Sequence, residues 1–132
     1  MKSRDTLIRL KRFQSEEKHR RVTQIETMIA EFGRMVAELD REIAGEEQRS
    51  GITDPTHFAY STYARAARTR RDNLQNSADE LGEQLAAAQA ELEEARAELH
   101  KAESLEGREK GLDRGAGVVA KTSPLALDPL QA

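Results

Sequence analysis

The chain has 132 residues, of which 37% are hydrophobic and 34% are charged, and its formal net charge is −3. The absence of Cys excludes disulfides, thiolate catalysis and cysteine-based zinc sites. Ala accounts for 19 of the hydrophobic residues, so the larger apolar side chains are too few for a thick core but can fill a thin layer between helices.

The near balance of 21 basic and 24 acidic residues argues against a nucleic-acid-binding protein driven by overall charge. The sequence contains no run of about 18 apolar residues, the length that predicts a membrane span. No signal-peptide core follows Met1. We therefore expect a cytoplasmic protein that does not insert directly into a membrane.

The first predicted helix covers about residues 4–49. It contains no Pro, and its apolar residues follow one another at alternating spacings of three and four, which is the pattern of a coiled-coil seam. These seam residues are Val22, Ile25, Ile29, Phe32, Val36, Leu39 and Ile43.

Residues 50–56 interrupt this pattern and predict a turn. Gly51 suits a helix end that requires a positive φ angle. Asp54 is placed to cap a new helix, and Pro55 can occupy its first position without losing a hydrogen bond. We therefore expect the second helix to begin at about residue 55.

The second predicted helix covers about residues 55–106 and carries a seam in which Leu and Ala alternate. Its members are Leu74, Ala78, Leu81, Leu85, Ala88, Leu92, Ala95, Leu99 and Ala102, and the same register leads back to Tyr60, Ala64, Ala67 and Arg71. Residues 107–132 contain several Gly together with Pro124 and Pro129, which predicts a disordered, flexible tail, although its apolar residues could also dock on a partner.

Two long amphipathic helices joined by a short turn predict an all-α antiparallel coiled-coil hairpin over residues 1–106. Folding the chain about residue 51 or 52 places Val22 opposite Leu81, and Ile29 opposite Leu74. The charges agree, because residues 1–21 carry a net charge of +5 and residues 79–106 a net charge of −7. A hairpin of this kind has a large surface and no catalytic pocket, so we do not expect an enzyme or a cofactor.

Two charged clusters admit a functional interpretation. Glu16 and His19 have the spacing of half a di-iron carboxylate site, but no second half is present, so we predict no metal site and a solvated helix face. The arginines at 65, 68, 70 and 71 follow three aromatic residues, a combination found in nucleic-acid-binding proteins, but a charged or protein-contacting face is favoured.

Three of the five aromatic residues lie between positions 58 and 63. Tyr60 falls on the seam, whereas Phe58 and Tyr63 are expected on its flanks. They either plug the end of the hairpin or form a binding patch, since exposed aromatic residues are favoured interface anchors.

The sequence resembles the FliJ family, soluble components of the flagellar type III export apparatus. The resemblance covers about residues 1–106 and is carried by residues 7–13 (LIRLKRF), the two heptad helices and the aromatic segment 57–63 (HFAYSTY) just after the turn. It implies a coiled coil similar to the central stalk of rotary ATPases. Such a protein inserts into the ring of the export ATPase FliI, binds the export gate protein FlhA and assists export chaperones at the membrane-associated apparatus.

The resemblance also implies two binding regions. The gate-binding candidates are Tyr63, Ala67, Leu74 and Phe58. Arg70 departs from the small residue that the family pattern leads us to expect between them. The candidates for binding the ATPase ring, at the open end of the hairpin, are Arg4, Arg9, Arg12 and Leu99.

Two further hypotheses belong to other classes. A generic coiled-coil scaffold or chaperone would bind its partners along surfaces beside the seam, and a nucleic-acid-binding hairpin would use the arginines between 65 and 71. The sequence leaves the oligomeric state open, and a homodimer is compatible with the same seams.

Overall fold

A computed structural model describes the backbone of residues 2–115 and the side chains of residues 3–108. Helix α1 covers Lys2–Ser50 and helix α2 covers Thr62–Gly115. Within the described chain the two helices pack against each other in antiparallel order, so the predicted all-α hairpin is confirmed. Neither of these two helices has a stretch long and apolar enough to cross a membrane.

The chain divides into two compact units, each built from part of both helices. Unit 1 comprises Met1–Glu16 and Glu93–Ala132, and unit 2 comprises Glu17–Leu92, which includes the turn.

The core of unit 2 is a thin layer between the helices. Val22 and Ile25 form a buried cluster with Ala88 and Leu92, and Ile25 has no exposed surface. The half-buried residues that pack against this cluster are Met28, Ile29, Leu81 and Leu85. A second buried group lies nearer the turn and consists of Ile43, Tyr60, Ala64 and Ala67. Between these two groups the seam residues Phe32, Val36 and Leu39 are only half-buried.

The register between the helices differs from the predicted one. Val22 was expected opposite Leu81, but it clusters with Ala88, seven residues later. The ion pair between Lys18 and Glu91 shows a similar displacement. The cause is the turn, which is longer than predicted. Because the displacement is about one heptad, seam residues still face seam residues.

Helix α1 ends as the sequence predicts. Gly51 has a φ angle of 75°, and its N–H donates to the carbonyl oxygen of Glu47 over 2.9 Å. This is the left-handed termination that favours Gly, because a side chain there would be strained.

The start of α2 differs from the prediction, since the helix begins at Thr62 and not near Pro55. The Asp54 carboxylate accepts hydrogen bonds from the backbone N–H and the hydroxyl of Thr56, at 3.0 and 2.8 Å, and so closes a local turn. Such side-chain bonds to the nearby backbone compete with helix formation. Ser61 is the actual cap, with its Oγ accepting from the N–H of Ala64 at 3.1 Å.

The end of α2 also differs, because the helix continues to Gly115 although the sequence predicts a flexible tail from residue 107. Gly107, Gly111 and Gly115 are separated by good helix formers, and one Gly costs a helix only about 1 kcal/mol. The stronger helix breaker, Pro, does not occur between Thr62 and Pro124. Residues 116–132, the rest of the predicted tail, lie outside the described residues.

Unit 1 has a more polar seam than unit 2. Ile8 and Ala102 are buried, and Ser15 is buried at a seam position. Basic side chains of α1 reach acidic ones of α2, with Lys11 3.5 Å from Glu98 and Arg12 3.1 Å from Glu103. The predicted charge complementarity therefore exists, but each exposed pair contributes only about 0–1 kcal/mol.

Candidate protein-binding surface beside the turn

Tyr60 anchors the turn against the helices. Its ring is buried, and its hydroxyl donates to Glu47 Oε2 over 2.6 Å. The guanidinium of Arg65 lies 5.3 Å from the ring centroid and donates to the carbonyl oxygen of Pro55 at 2.8 Å. Burial, followed by the bond to Glu47, raises the pKa of Tyr60. The predicted seam position of Tyr60 is confirmed, and these contacts connect the turn to both helices.

Tyr63 lies in the first turn of α2 and faces outward, with 56% of its surface exposed. Its hydroxyl donates to Glu42 Oε1 of α1 over 2.6 Å. This hydrogen bond, together with the negative charge of Glu42, raises the pKa of Tyr63. The ring is therefore accessible and at the same time held in a defined orientation.

A shallow depression of about 360 Å³, which we call the Tyr63 groove, lies on one side of this ring. Met35 and the half-buried Leu39 and Leu74 supply its apolar surface. The charged groups that line it are Glu38, Glu42 and Arg70. A surface that combines apolar and charged groups is compatible with a protein contact, because apolar contacts supply affinity and charged groups supply specificity.

A second depression borders the same residue and is lined mainly by charged residues. Its lining consists of Glu38, Arg41, Glu42, Gly45, Glu46, Arg49 and Tyr63. Tyr63 thus borders two depressions that share Glu38 and Glu42 and offer both apolar and charged groups to a partner.

The four gate-binding candidates do not form one surface. Tyr63 and Leu74 line the same groove. Ala67 is 7% exposed because it occupies a seam position, so the hairpin leaves little of its side chain for the contact that the resemblance implies. Phe58 lies in the turn with 94% of its surface exposed, and its ring stacks on His57 with centroids 4.8 Å apart.

These positions bear on the two interpretations of the aromatic segment. Phe58 and Tyr63 do not plug the end of the hairpin, since both are exposed, and Tyr60 alone is buried between the helices. The contribution of α1 to the surface, which consists of Met35, Glu38 and Glu42, does not follow from the seam pattern alone. The seam pattern could have located them only with the correct register, which depends on the length of the turn.

The arginine cluster largely serves internal contacts. Arg71, on the predicted seam, pairs with Asp40 at 2.7 Å and with Asp72 at 2.8 Å, and these bonds raise its pKa. Arg65 is held against Tyr60 and Pro55. The arrangement fits a charged structural face better than a phosphate-binding one, because two of the four guanidiniums are already bound.

The ring-binding candidates lie in unit 1. Half-buried Arg4 lines a depression together with Ser3, Leu7, Ala102 and Leu105. Arg9 is exposed, Arg12 is paired with Glu103, and Leu99 is half-buried. The structure therefore brings Arg4 close to exposed apolar residues, whereas Arg12 is engaged by α2.

Glu16 and His19, the pair with di-iron spacing, are both exposed. Among the side chains that the structure describes, no group of three or more His, Asp or Glu residues is placed to hold a metal ion.

The fold and this surface define the chain as a two-helix coiled-coil hairpin with an exposed aromatic face beside its turn. No protein-family model, no curated protein and no solved structure matches the chain. Its fold class therefore rests on the two helices and their packing, and its function is inferred from the surface and the sequence.

Proposed function

We propose that this chain is a non-enzymatic coiled-coil component of the flagellar type III protein export apparatus. In this role it couples the export ATPase to the export gate, assists export chaperones and associates peripherally with the membrane-embedded apparatus from the cytoplasm. The resemblance of residues 7–13 and 57–63 to the FliJ family suggests the role. The observation that carries it is the position of Tyr63, exposed at the start of α2 beside a groove to which Met35, Leu39 and Leu74 contribute apolar surface.

Tyr63 has the physical properties of an interface anchor. Aromatic residues dominate the binding energy of many interfaces because they bury a large area with few rotatable bonds. The hydrogen bond to Glu42 restricts the ring before a partner arrives, so less conformational entropy is lost on binding. Leu74 and Met35 extend the apolar area next to it.

Binding to the cytoplasmic part of the export gate tests the role of this face. Tyr63→Ala should weaken the complex by roughly 10–100-fold, the range typical of an anchor residue. Asn76→Ala is the matched control, because Asn76 is an exposed residue of the same helix outside the groove. Equal affinities of the two variants would contradict the assignment of Tyr63.

The ATPase side is tested with the purified export ATPase. We expect the chain to stimulate ATP hydrolysis, and Arg9→Glu to reduce the stimulation, because Arg9 is exposed in unit 1. Tyr63→Ala should leave the stimulation unchanged. Loss of stimulation in Tyr63→Ala but not in Arg9→Glu would reverse the assignment of the two faces.

The alternative function is a generic coiled-coil scaffold or chaperone. The half-buried seam residues Phe32, Val36 and Leu39, together with Met35 at 44% exposure, favour it, because they offer apolar surface in the middle of unit 2. Failure to bind either export component at low salt, combined with suppression of aggregation of an unrelated unfolded protein, would support this alternative over the export role.

A further inference from the structure

Unit 1 carries an apolar surface on the outside of α1. Leu7, Leu10 and Phe13 are 42%, 49% and 55% exposed. Because residues three apart are neighbours on a helix, these side chains form a continuous strip about 9 Å long. Leu105 of α2, at 44% exposure, lines a depression together with Leu7. We call these four residues the Leu7 face.

The Leu7 face offers contacts to a segment of apolar character. Its first and last strip residues lie about 1.7 helical turns apart, and the depression beside Leu7 has the buried Ala102 in its lining. The three strip positions are outside the predicted seam, and about half of each side chain stays exposed in the hairpin.

Residues 116–132 have the composition and the origin that such a contact requires. They carry one Lys and one Asp, hence no net charge, and their larger apolar residues are Val118, Val119, Leu125, Leu127 and Leu130. They follow directly from Gly115 at the end of α2, which belongs to the same unit as the Leu7 face. Pro124 and Pro129 disfavour a helix across the Leu-containing stretch.

The lengths select one stretch of this segment. Gly115 lies about 15 Å beyond Leu105 along α2 at 1.5 Å per residue. Ten residues of extended chain, from Gly115 to Leu125, span up to roughly 33 Å, which is more than enough for the return. Val118 and Val119 are too close to Gly115 to reach back. Residues 125–130 extend over roughly 16 Å and can cover the strip from Leu7 to Phe13.

We propose that residues 125–130 of this chain dock on the Leu7 face of the same molecule, with Leu125, Leu127 and Leu130 against Leu7, Leu10 and Phe13. The tether favours this occupant over a second copy, because a short linker supplies an effective concentration in the millimolar range. The contact does not depend on the export role. Where a partner uses the same end of the hairpin, the segment competes with it.

Paramagnetic labelling tests the contact directly. The chain has no Cys, so Ala126→Cys provides a single attachment site for a nitroxide label between two of the proposed contact residues. In dilute full-length protein, the label should broaden the amide signals of residues 7–13 more than those of other exposed residues in unit 1.

The matched control carries the same label in the Leu125→Ser, Leu127→Ser, Leu130→Ser background, which keeps the tether but removes the apolar contacts. Each replacement should lower the fraction of closed molecules by roughly tenfold, so the preferential broadening should disappear. Leu10→Ser changes the other side of the contact. With the label at residue 126, this variant should also show weaker broadening of the signals of residues 7–13.

Three outcomes would overturn the proposal. Broadening of residues 7–13 that is equal in the serine control would mean that the tether alone brings the label near. Broadening that appears only when labelled chains are mixed with isotope-enriched, unlabelled chains would assign the face to a second copy. Absence of any preferential broadening would likewise leave the face without this cover and refute the contact.

Discussion

Ile25 is the side chain whose truncation should cost this hairpin most. It has no exposed surface and packs in the cluster with Val22, Ala88 and Leu92. Ile25→Ala removes three carbon atoms, each worth about 0.8 kcal/mol when buried, which gives roughly 2.4 kcal/mol. The cavity adds to this figure, although the thin layer can partly collapse. We therefore expect a loss of about 2.5–4 kcal/mol in the free energy of unfolding.

Urea unfolding followed by circular dichroism measures this loss, at several protein concentrations so that association is detected. Met35→Ala is the matched control, because Met35 is also on α1 of unit 2 but is 44% exposed. It should cost less than about 1 kcal/mol, since much of its side chain already contacts water. A loss in Ile25→Ala no larger than that in Met35→Ala would refute the placement of Ile25 in a dry core.

The same substitution also tests the register. Residues in contact show coupling energies of about 0.5–3 kcal/mol in double-mutant cycles, whereas distant ones are additive. Ile25→Ala should couple with Leu92→Ala, because both residues belong to one cluster. It should be additive with Leu74→Ala. The opposite pattern would support the register predicted from a short turn.

Three further predictions concern the turn and the charged contacts. Gly51→Ala should lower the free energy of unfolding by about 1 kcal/mol or more, measured by urea titration, because its φ angle of 75° strains any other residue. Ser61→Ala should lower the free energy of unfolding by about 1 kcal/mol, because it removes a helix cap. Thr62→Ala, the neighbouring control, should lower it clearly less. Equal losses in the two variants would contradict the role of Ser61 as the cap. Stability should also fall at both extremes of pH, measured by thermal unfolding. The raised pKa of Tyr63 means that the folded state stabilises the protonated hydroxyl. This contribution to stability is present below pH 10 and is lost as the pH rises through the raised pKa. Tyr63→Phe should therefore reduce the loss of stability at alkaline pH. Lys18 lowers the pKa of Glu91, so the small contribution of this ion pair to stability is present above pH 4.5 and is lost as the pH falls through the lowered pKa. If Lys18→Gln left the loss of stability at acidic pH unchanged, the pair would be excluded as one of its causes.

The positions that sequence reasoning placed correctly are those governed by local periodicity. Val22, Ile25, Ile43 and Leu92 are buried as the alternating three-and-four spacing predicts, and Tyr60 joins them. Gly51 ends α1 with a positive φ angle, a property of one residue and its immediate neighbours. Such features depend on the 3.6-residue repeat and on glycine stereochemistry, both of which can be read from the chain itself.

The candidate surface could be predicted only in part. The exposure of Tyr63 on a seam flank follows from the helical repeat. The partnership of Tyr63 with Glu42, and the groove that it shares with Met35 and Leu74, depend on which turn of α1 faces which turn of α2. Ala67 shows the opposite case. The family resemblance implies that it contacts a partner, but packing of the two helices buries its side chain in the seam.

The amino-acid sequence by itself determined that two amphipathic helices form and that the chain reverses after Gly51, since apolar spacing and helix termination are local properties. Only the tertiary structure decided where α2 begins and which heptads pair. Asp54 can cap a helix or close a turn with Thr56, and the burial of Tyr60 accompanies the second arrangement. A seam that repeats every seven residues is compatible with pairings one heptad apart, so the length of the turn selects among them.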